Sequence, residues 1–110
     1  MEVKATAKGI RVSPKKARQI IDTIRGKGAD EALAMLKYTP TPTAGKVARV
    51  IKSAVANAEN NYQMVPSELK ITQAHVDEGL RMRRMRFAGR GRIHPYYRRS
   101  SHITVVVEEM

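Results

Sequence analysis

The sequence predicts an α+β fold: three helices packed on a small antiparallel sheet, with a long extended β-hairpin. Three observations lead there. Apolar residues recur at helical spacing in three segments between Ser13 and Asn61. From Leu69 the period changes to two, and a second strand-like run, His102–Val107, closes the chain. Between those two runs lies a stretch rich in arginine, centred on Gly89-Arg90-Gly91, with neither helical nor apolar signal.

Residues 2–8 alternate loosely, with Val3, Ala5 and Ala7 set against Glu2, Lys4, Thr6 and Lys8, which reads as a short strand that Gly9 breaks or bulges. Ser13-Pro14 opens the first helix: the serine hydroxyl accepts from a free backbone N–H, and proline at the first helical position sacrifices no bond. Ala17, Ile20, Ile21 and Ile24 form its apolar face, and Gly26-Lys27-Gly28 stops it. Asp30-Glu31 opens a second helix with acids at its positive end, with Leu33, Leu36 and Met35 as its apolar face. Tyr38 to Pro42 ends it, and a third helix from about Thr43 to Asn60-Asn61 presents Val47, Ile51, Ala54, Val55 and Ala58 on one side and Lys46, Arg49 and Lys52 on the other. In the strand that follows, Leu69, Ile71, Gln73 and His75 alternate with Lys70, Thr72, Ala74 and Val76.

The 110 residues are enough for one domain, read as a globular part (1–79 and 101–110) and an extended hairpin (80–100). The formal net charge is +11, which calls for a polyanionic partner. There is no cysteine, so disulfides and thiolate metal sites are excluded. No apolar run is long enough to span a membrane, and the opening Met-Glu-Val-Lys has no signal-peptide centre. The expected setting is the cytoplasm, with no membrane partner.

The arginines are the main functional signal. Arg81, Arg83, Arg84, Arg86, Arg90, Arg92, Arg98 and Arg99 fall in a stretch, Gly79 to Val107, that holds no acid and no lysine. Such a field cannot neutralise itself, and the planar guanidinium pairs with phosphate and stacks on bases. Its outer part shows no apolar face. At about 3.3 Å per residue the tip reaches roughly 30 Å beyond the globule. Isolated two-stranded ribbons are marginal in water, and facing like charges weaken them further, so the arm is expected to be mobile alone and ordered by surrounding phosphates. Tyr96, Tyr97 and Phe87 either stack on bases or pack across the hairpin. The two glycines at the tip are read as supplying a turn with positive φ. A second basic set, Lys8, Arg11, Lys15, Lys16 and Arg18, gathers around the first helix, whose N-terminus favours anions.

No catalytic constellation is visible. His75, His94 and His102 match no zinc spacing, and no metal or other cofactor is expected. Asp77 and Glu78 are adjacent on a strand, so they point to opposite faces and do not form an acid–base dyad; a pairing with a nearby arginine suits them better. An enzyme that holds nucleic acid with a basic arm is the rival reading, but it lacks clustered carboxylates to position metal or water.

Several short patterns then coincide in order. They are Arg11-Val12-Ser13-Pro14-Lys15-Lys16-Ala17-Arg18, Ile24-Arg25-Gly26-Lys27, Ser53 to Asn61 (SAVANAENN), Val76-Asp77-Glu78-Gly79 and Ser101 to Val107 (SHITVVV). Through them the chain resembles, almost end to end, the ribosomal protein twenty-two family of the bacterial large subunit. The resemblance implies a non-catalytic constituent of that subunit. Its globule would sit near the peptide exit, and its hairpin would be threaded into large-subunit rRNA and line the exit tunnel. It further implies a part in RNA assembly, contacts with several rRNA domains, neighbouring ribosomal proteins and the nascent peptide, and no homo-oligomer. Phe87, Ala88, Gly89, Arg90, Gly91, Arg92 and Ile93 correspond to the tunnel-lining tip. Met82, Arg83 and Arg84 correspond to a stretch where deletions in the family are associated with macrolide resistance. Phe87 stands where many members carry proline.

Overall fold

The computed structural model describes residues 2–87 and 89–109. Among the described residues three α-helices and five strands follow one another, with short 3-10 turns at Pro66–Glu68 and Gly89–Gly91: β1 (Glu2–Ile10), α1 (Pro14–Ile24), α2 (Ala29–Lys37), α3 (Pro42–Tyr62), β2 (Leu69–Glu78), β3 (Met82–Phe87), β4 (Ile93–Arg98) and β5 (Ser101–Glu109). Two antiparallel sheets result: a three-stranded sheet in the order β1-β5-β2, and a two-stranded ribbon of β3 and β4. This is the predicted α+β architecture with its hairpin.

The caps act as their chemistry predicts. Ser13 Oγ accepts from Lys16 N at 3.4 Å, with Pro14 at the first position of α1. Thr41 Oγ1 accepts from Ala44 N at 3.4 Å, so Pro42 opens α3 as well as ending the segment before it. The long helix stops at Gln63, which takes the left-handed conformation at φ 53° and returns its N–H to the last turn. On α2 the buried residues are Ala29, Ala32 and Leu36, while Leu33 and Met35 are only half-buried. The predicted face thus packs on the core, with Leu36 buried and Leu33 and Met35 at its margin, and Ala29 and Ala32 extend it.

The core lies between the helices and one face of the larger sheet. Ile21 and Ile24 of α1, Val47 and Ile51 of α3, and Ile71, Ile103, Val105 and Val107 of the sheet are all fully buried. Each such side chain contributes roughly 1.5–3 kcal/mol on burial. In β2 the inward residues are Leu69 and Ile71, then Ala74 and Val76. The predicted alternation placed Gln73 and His75 with Leu69 and Ile71. A register shift between Ile71 and Gln73 overturns that, because one extra residue exchanges the faces beyond it.

The outer edge of β2 is closed by the segment that ends α1. Gly26 N donates to Ile71 O (3.0 Å), and Ile71 N donates to Lys27 O (2.9 Å). Arg25 directs Nε and Nη2 onto Ala74 O (3.1 and 2.7 Å), and Arg18 Nη2 donates to Val76 O (3.1 Å). A strand edge that would otherwise present bare carbonyls is thereby satisfied. At the other side of the sheet, Gly9 adopts φ 68° where the pairing of β1 shifts between Ala7 and Ile10. Its N–H donates to His102 Nδ1 at 3.0 Å, so this imidazole is part of the framework.

Glu2 lies opposite Glu108 at the end of the larger sheet away from the ribbon. A hydrogen bond shared with Glu2 holds the Glu108 carboxyl above its ordinary pKa, with desolvation and the Glu2 charge adding to the effect.

Candidate nucleic-acid interface

The two-stranded ribbon projects from the globule. The molecule measures 61 × 26 × 18 Å, and its radius of gyration is 16.8 Å against about 13 Å for a compact chain of this length.

Pairing within the ribbon is regular, from Met82 opposite Arg98 to Phe87 opposite Ile93. Residues directly opposite share a face, so the register sorts the side chains. One face carries Met82, Arg84 and Arg86 on β3 and Tyr96 and Arg98 on β4. The Arg86 guanidinium sits 5.3 Å from the Tyr96 ring centroid, within cation–π range. The opposite face carries Met85, Ile93, Pro95 and Tyr97, with Arg83 as its basic member. Met85, Ile93 and Tyr97 are all at least half-exposed. The expectation of an arm with no apolar face is therefore corrected. Adjacent Arg83 and Arg84 hide the alternation in the sequence because they fall on opposite sides.

At the tip, Arg90 (φ 64°) and Gly91 (φ 70°) are left-handed, whereas Gly89 is not. The turn thus draws one of its two left-handed residues from an arginine, which costs more there than glycine. Arg90 and Arg92 are exposed. Ala88 of the predicted tip and the side chains of Phe87 and His94 lie outside the described residues.

The arginines are not all alike in their partners. Arg81 donates from Nε to Glu78 Oε1 at 2.6 Å, so one charge of the eight is answered by the acid at the end of β2. Among the described residues the other seven form no ion pair. Arg18, expected on an anion surface, spends one donor on Val76 O and keeps the rest of its fork free. Lys8, Lys15 and Lys16 are exposed around the start of α1. Arg11 is also exposed, but it lines a groove of about 460 Å³ together with Arg84, Arg98 and Arg99 at the root of the ribbon. Charge alone does not reveal that grouping, because Arg11 is far from the others in sequence.

Asp77 and Glu78 point apart as expected: Glu78 takes Arg81, and Asp77 Oδ2 stands 3.7 Å from His75 Nε2. Among the described residues, no three His, Asp or Glu side chains are placed to hold a metal ion, and no helix is long and apolar enough to cross a membrane.

Fold and arm together define the class: a small basic α+β protein that carries a cationic ribbon outside its core. The family model described as Ribosomal protein L22p/L17e matches residues 5–108. A protein of Dehalococcoides mccartyi named "Large ribosomal subunit protein uL22" is 52% identical over 109 residues, which cover 99% of this chain and 100% of that protein. Proteins with the same name from Desulforamulus reducens and Halothermothrix orenii are 53% and 50% identical, covering 99% of this chain and 96% of each. The chain belongs to the ribosomal protein L22p/L17e family.

Proposed function

We propose that the chain, as a protein of the large ribosomal subunit in the cytoplasm, binds large-subunit rRNA with its arm and the arm-facing side of its globule. It performs no catalysis. One observation carries this reading: among the described residues, seven arm arginines have no acidic partner, on a ribbon outside the core. Specificity comes from RNA shape, since A-form grooves hide base edges from side chains.

The sorting of the ribbon supports a division of labour. The face with Arg84, Arg86, Arg98 and Tyr96 suits phosphates and stacked bases. The face with Met85, Ile93, Pro95 and Tyr97 suits a water-filled passage shared with a nascent peptide, where adaptable apolar contact is enough. The tip, Phe87 to Ile93, enters that passage, and Lys8, Lys15, Lys16 and the free donors of Arg11 and Arg18 bind RNA from the globule. By holding separated RNA segments with one rigid body and one arm, the protein aids assembly. Met82, Arg83 and Arg84 begin β3 at its globule end. A deletion there would alter the tip through the reach and register of the ribbon, without touching the tip itself.

Salt titration of RNA binding tests the reading. If the eight arm arginines neutralise phosphates, log affinity falls with log salt at a slope of about −6 to −7. A slope near −2 would show that the arm is largely uninvolved. Crosslinking in cells should attach residues 81–99 to large-subunit RNA.

A further inference from the structure

The ribbon does not simply continue the larger sheet. Pairing of β2 with β5 ends at Glu78 opposite Ser101, and pairing of β3 with β4 begins at Met82 opposite Arg98. Three residues on one strand (79–81) therefore face two on the other (99–100). The mismatch is held by Gly79 N donating to Ser100 O (2.9 Å) and Ser100 Oγ donating to Leu80 O (2.8 Å). Gly79 is needed there, because a Cβ would lie 2.5 Å from Ser100 Oγ and 3.2 Å from the Ser100 carbonyl carbon. Such an unequal joint turns one sheet against the other.

The groove lined by Arg11, Arg84, Arg98 and Arg99 opens beside this joint, and no carboxylate is among the residues that line it. Arg84 directs Nη1 to the Arg83 carbonyl (3.2 Å) and Nη2 to the weakly accepting Met82 sulfur (3.6 Å), two of its five donors. Lys46 Nζ reaches the Arg11 carbonyl at 3.2 Å and adds a further cation nearby. Four guanidinium groups from the globule and from both strands of the arm thus repel one another across the joint. Any anion that enters removes that repulsion only if arm and globule stay together. At about 460 Å³ the groove falls within the roughly 300–1,000 Å³ range of ligand sites, too large for a lone ion. Exposed Leu80 and Met82 supply apolar wall for a sugar.

We propose that this groove is a composite site for a phosphodiester segment of RNA, and that filling it locks the angle between arm and globule. The inference rests on the RNA-binding reading above and adds a coupling to it: RNA binding and arm orientation stabilise each other by the same factor. Arg11 is the globule's half of the lock.

The chain has no cysteine, so one dye can be placed at Gly89→Cys and another at Lys37→Cys, on the full-length protein. Single-molecule energy transfer then reads the tip-to-globule distance with and without a short RNA stem-loop. The native pair should show a distance distribution that narrows on RNA binding. Arg11→Gln should still bind, with a salt slope shallower by about 0.7–0.9, and should lose the narrowing. Lys15→Gln should lose a similar slope and keep it. Narrowing that persists in Arg11→Gln overturns the proposal, as does RNA bound without narrowing in the native sequence. Failure of the native protein to bind RNA at all would instead overturn the functional reading beneath it.

Discussion

Ile71 and Met85 are both apolar residues on antiparallel strands, yet the first is fully buried and the second is 68% exposed. The globule orders its strands with helices on one face and with arginines and loop amides on one edge. The ribbon is held by its cross-strand pairing and, on one face, by the Arg86–Tyr96 contact. The charges divide in the same way: eight of the 21 basic residues and none of the ten acids lie between Gly79 and Ser100. In the globule an arginine such as Arg25 serves the fold by answering carbonyls. In the arm, among the described residues, no arginine answers a carbonyl of the other strand, and the register corrects the expectation of facing like charges: Arg83 stands opposite Tyr97, Arg84 opposite Tyr96 and Arg98 opposite Met82. The two regions therefore differ in what orders them: the globule's strands are packed under helices, and the ribbon's strands are paired outside the core.

The widest gap between the regions should appear in hydrogen exchange. In the free protein the Val105 amide should approach the global opening free energy, on the order of 5–15 kcal/mol for a stable domain. The amides of β3 and β4 should sit near zero. Arm amides protected as well as Val105 without RNA would break the comparison. Truncation should follow the same divide. Ile71→Ala should cost about 2–5 kcal/mol in urea unfolding, whereas Met85→Ala should stay within about 0.5 kcal/mol.

A smaller effect is expected at Ser101, the fully buried hydroxyl at the head of β5 that donates to Val12 O at 2.5 Å. Ser101→Ala leaves that carbonyl unanswered and should cost about 1–3 kcal/mol, read by the same denaturation. The smallest effect concerns Glu108. Its folded pKa is raised, so the folded state holds extra proton near the carboxylate range. The stabilising contribution is present below the unfolded pKa and fades as pH rises through the folded one. Glu108→Gln should therefore raise Tm slightly at neutral pH and leave it unchanged in acid; a lowered Tm at neutral pH would reverse the sign of the Glu2–Glu108 interaction.

What could be read from the sequence was what local chemistry dictates. Ser13-Pro14 announced α1 because capping and proline act within one turn. The hairpin was legible from period-two runs flanking glycines. The extra residue between Ile71 and Gln73 was not, because a bulge changes pairing without changing composition. The capture of Arg18 and Arg25 by β2 was equally hidden, since it joins residues about 50 apart. In the candidate site, the arginines themselves were plain. Their sorting into faces was not, because it depends on which residue of β4 stands opposite which residue of β3.

A ribbon with unlike sides also has a parity. Side chains alternate along each strand, so the loss of an even number of residues from β3 shortens the reach and leaves each remaining side chain looking the same way. The loss of an odd number turns everything beyond the cut over, setting cations of one strand against the greasy side of the other. Natural variation in the length of this finger should therefore come in steps of two on each strand, and departures from that rule should mark molecules whose two ribbon faces have been exchanged beyond the change.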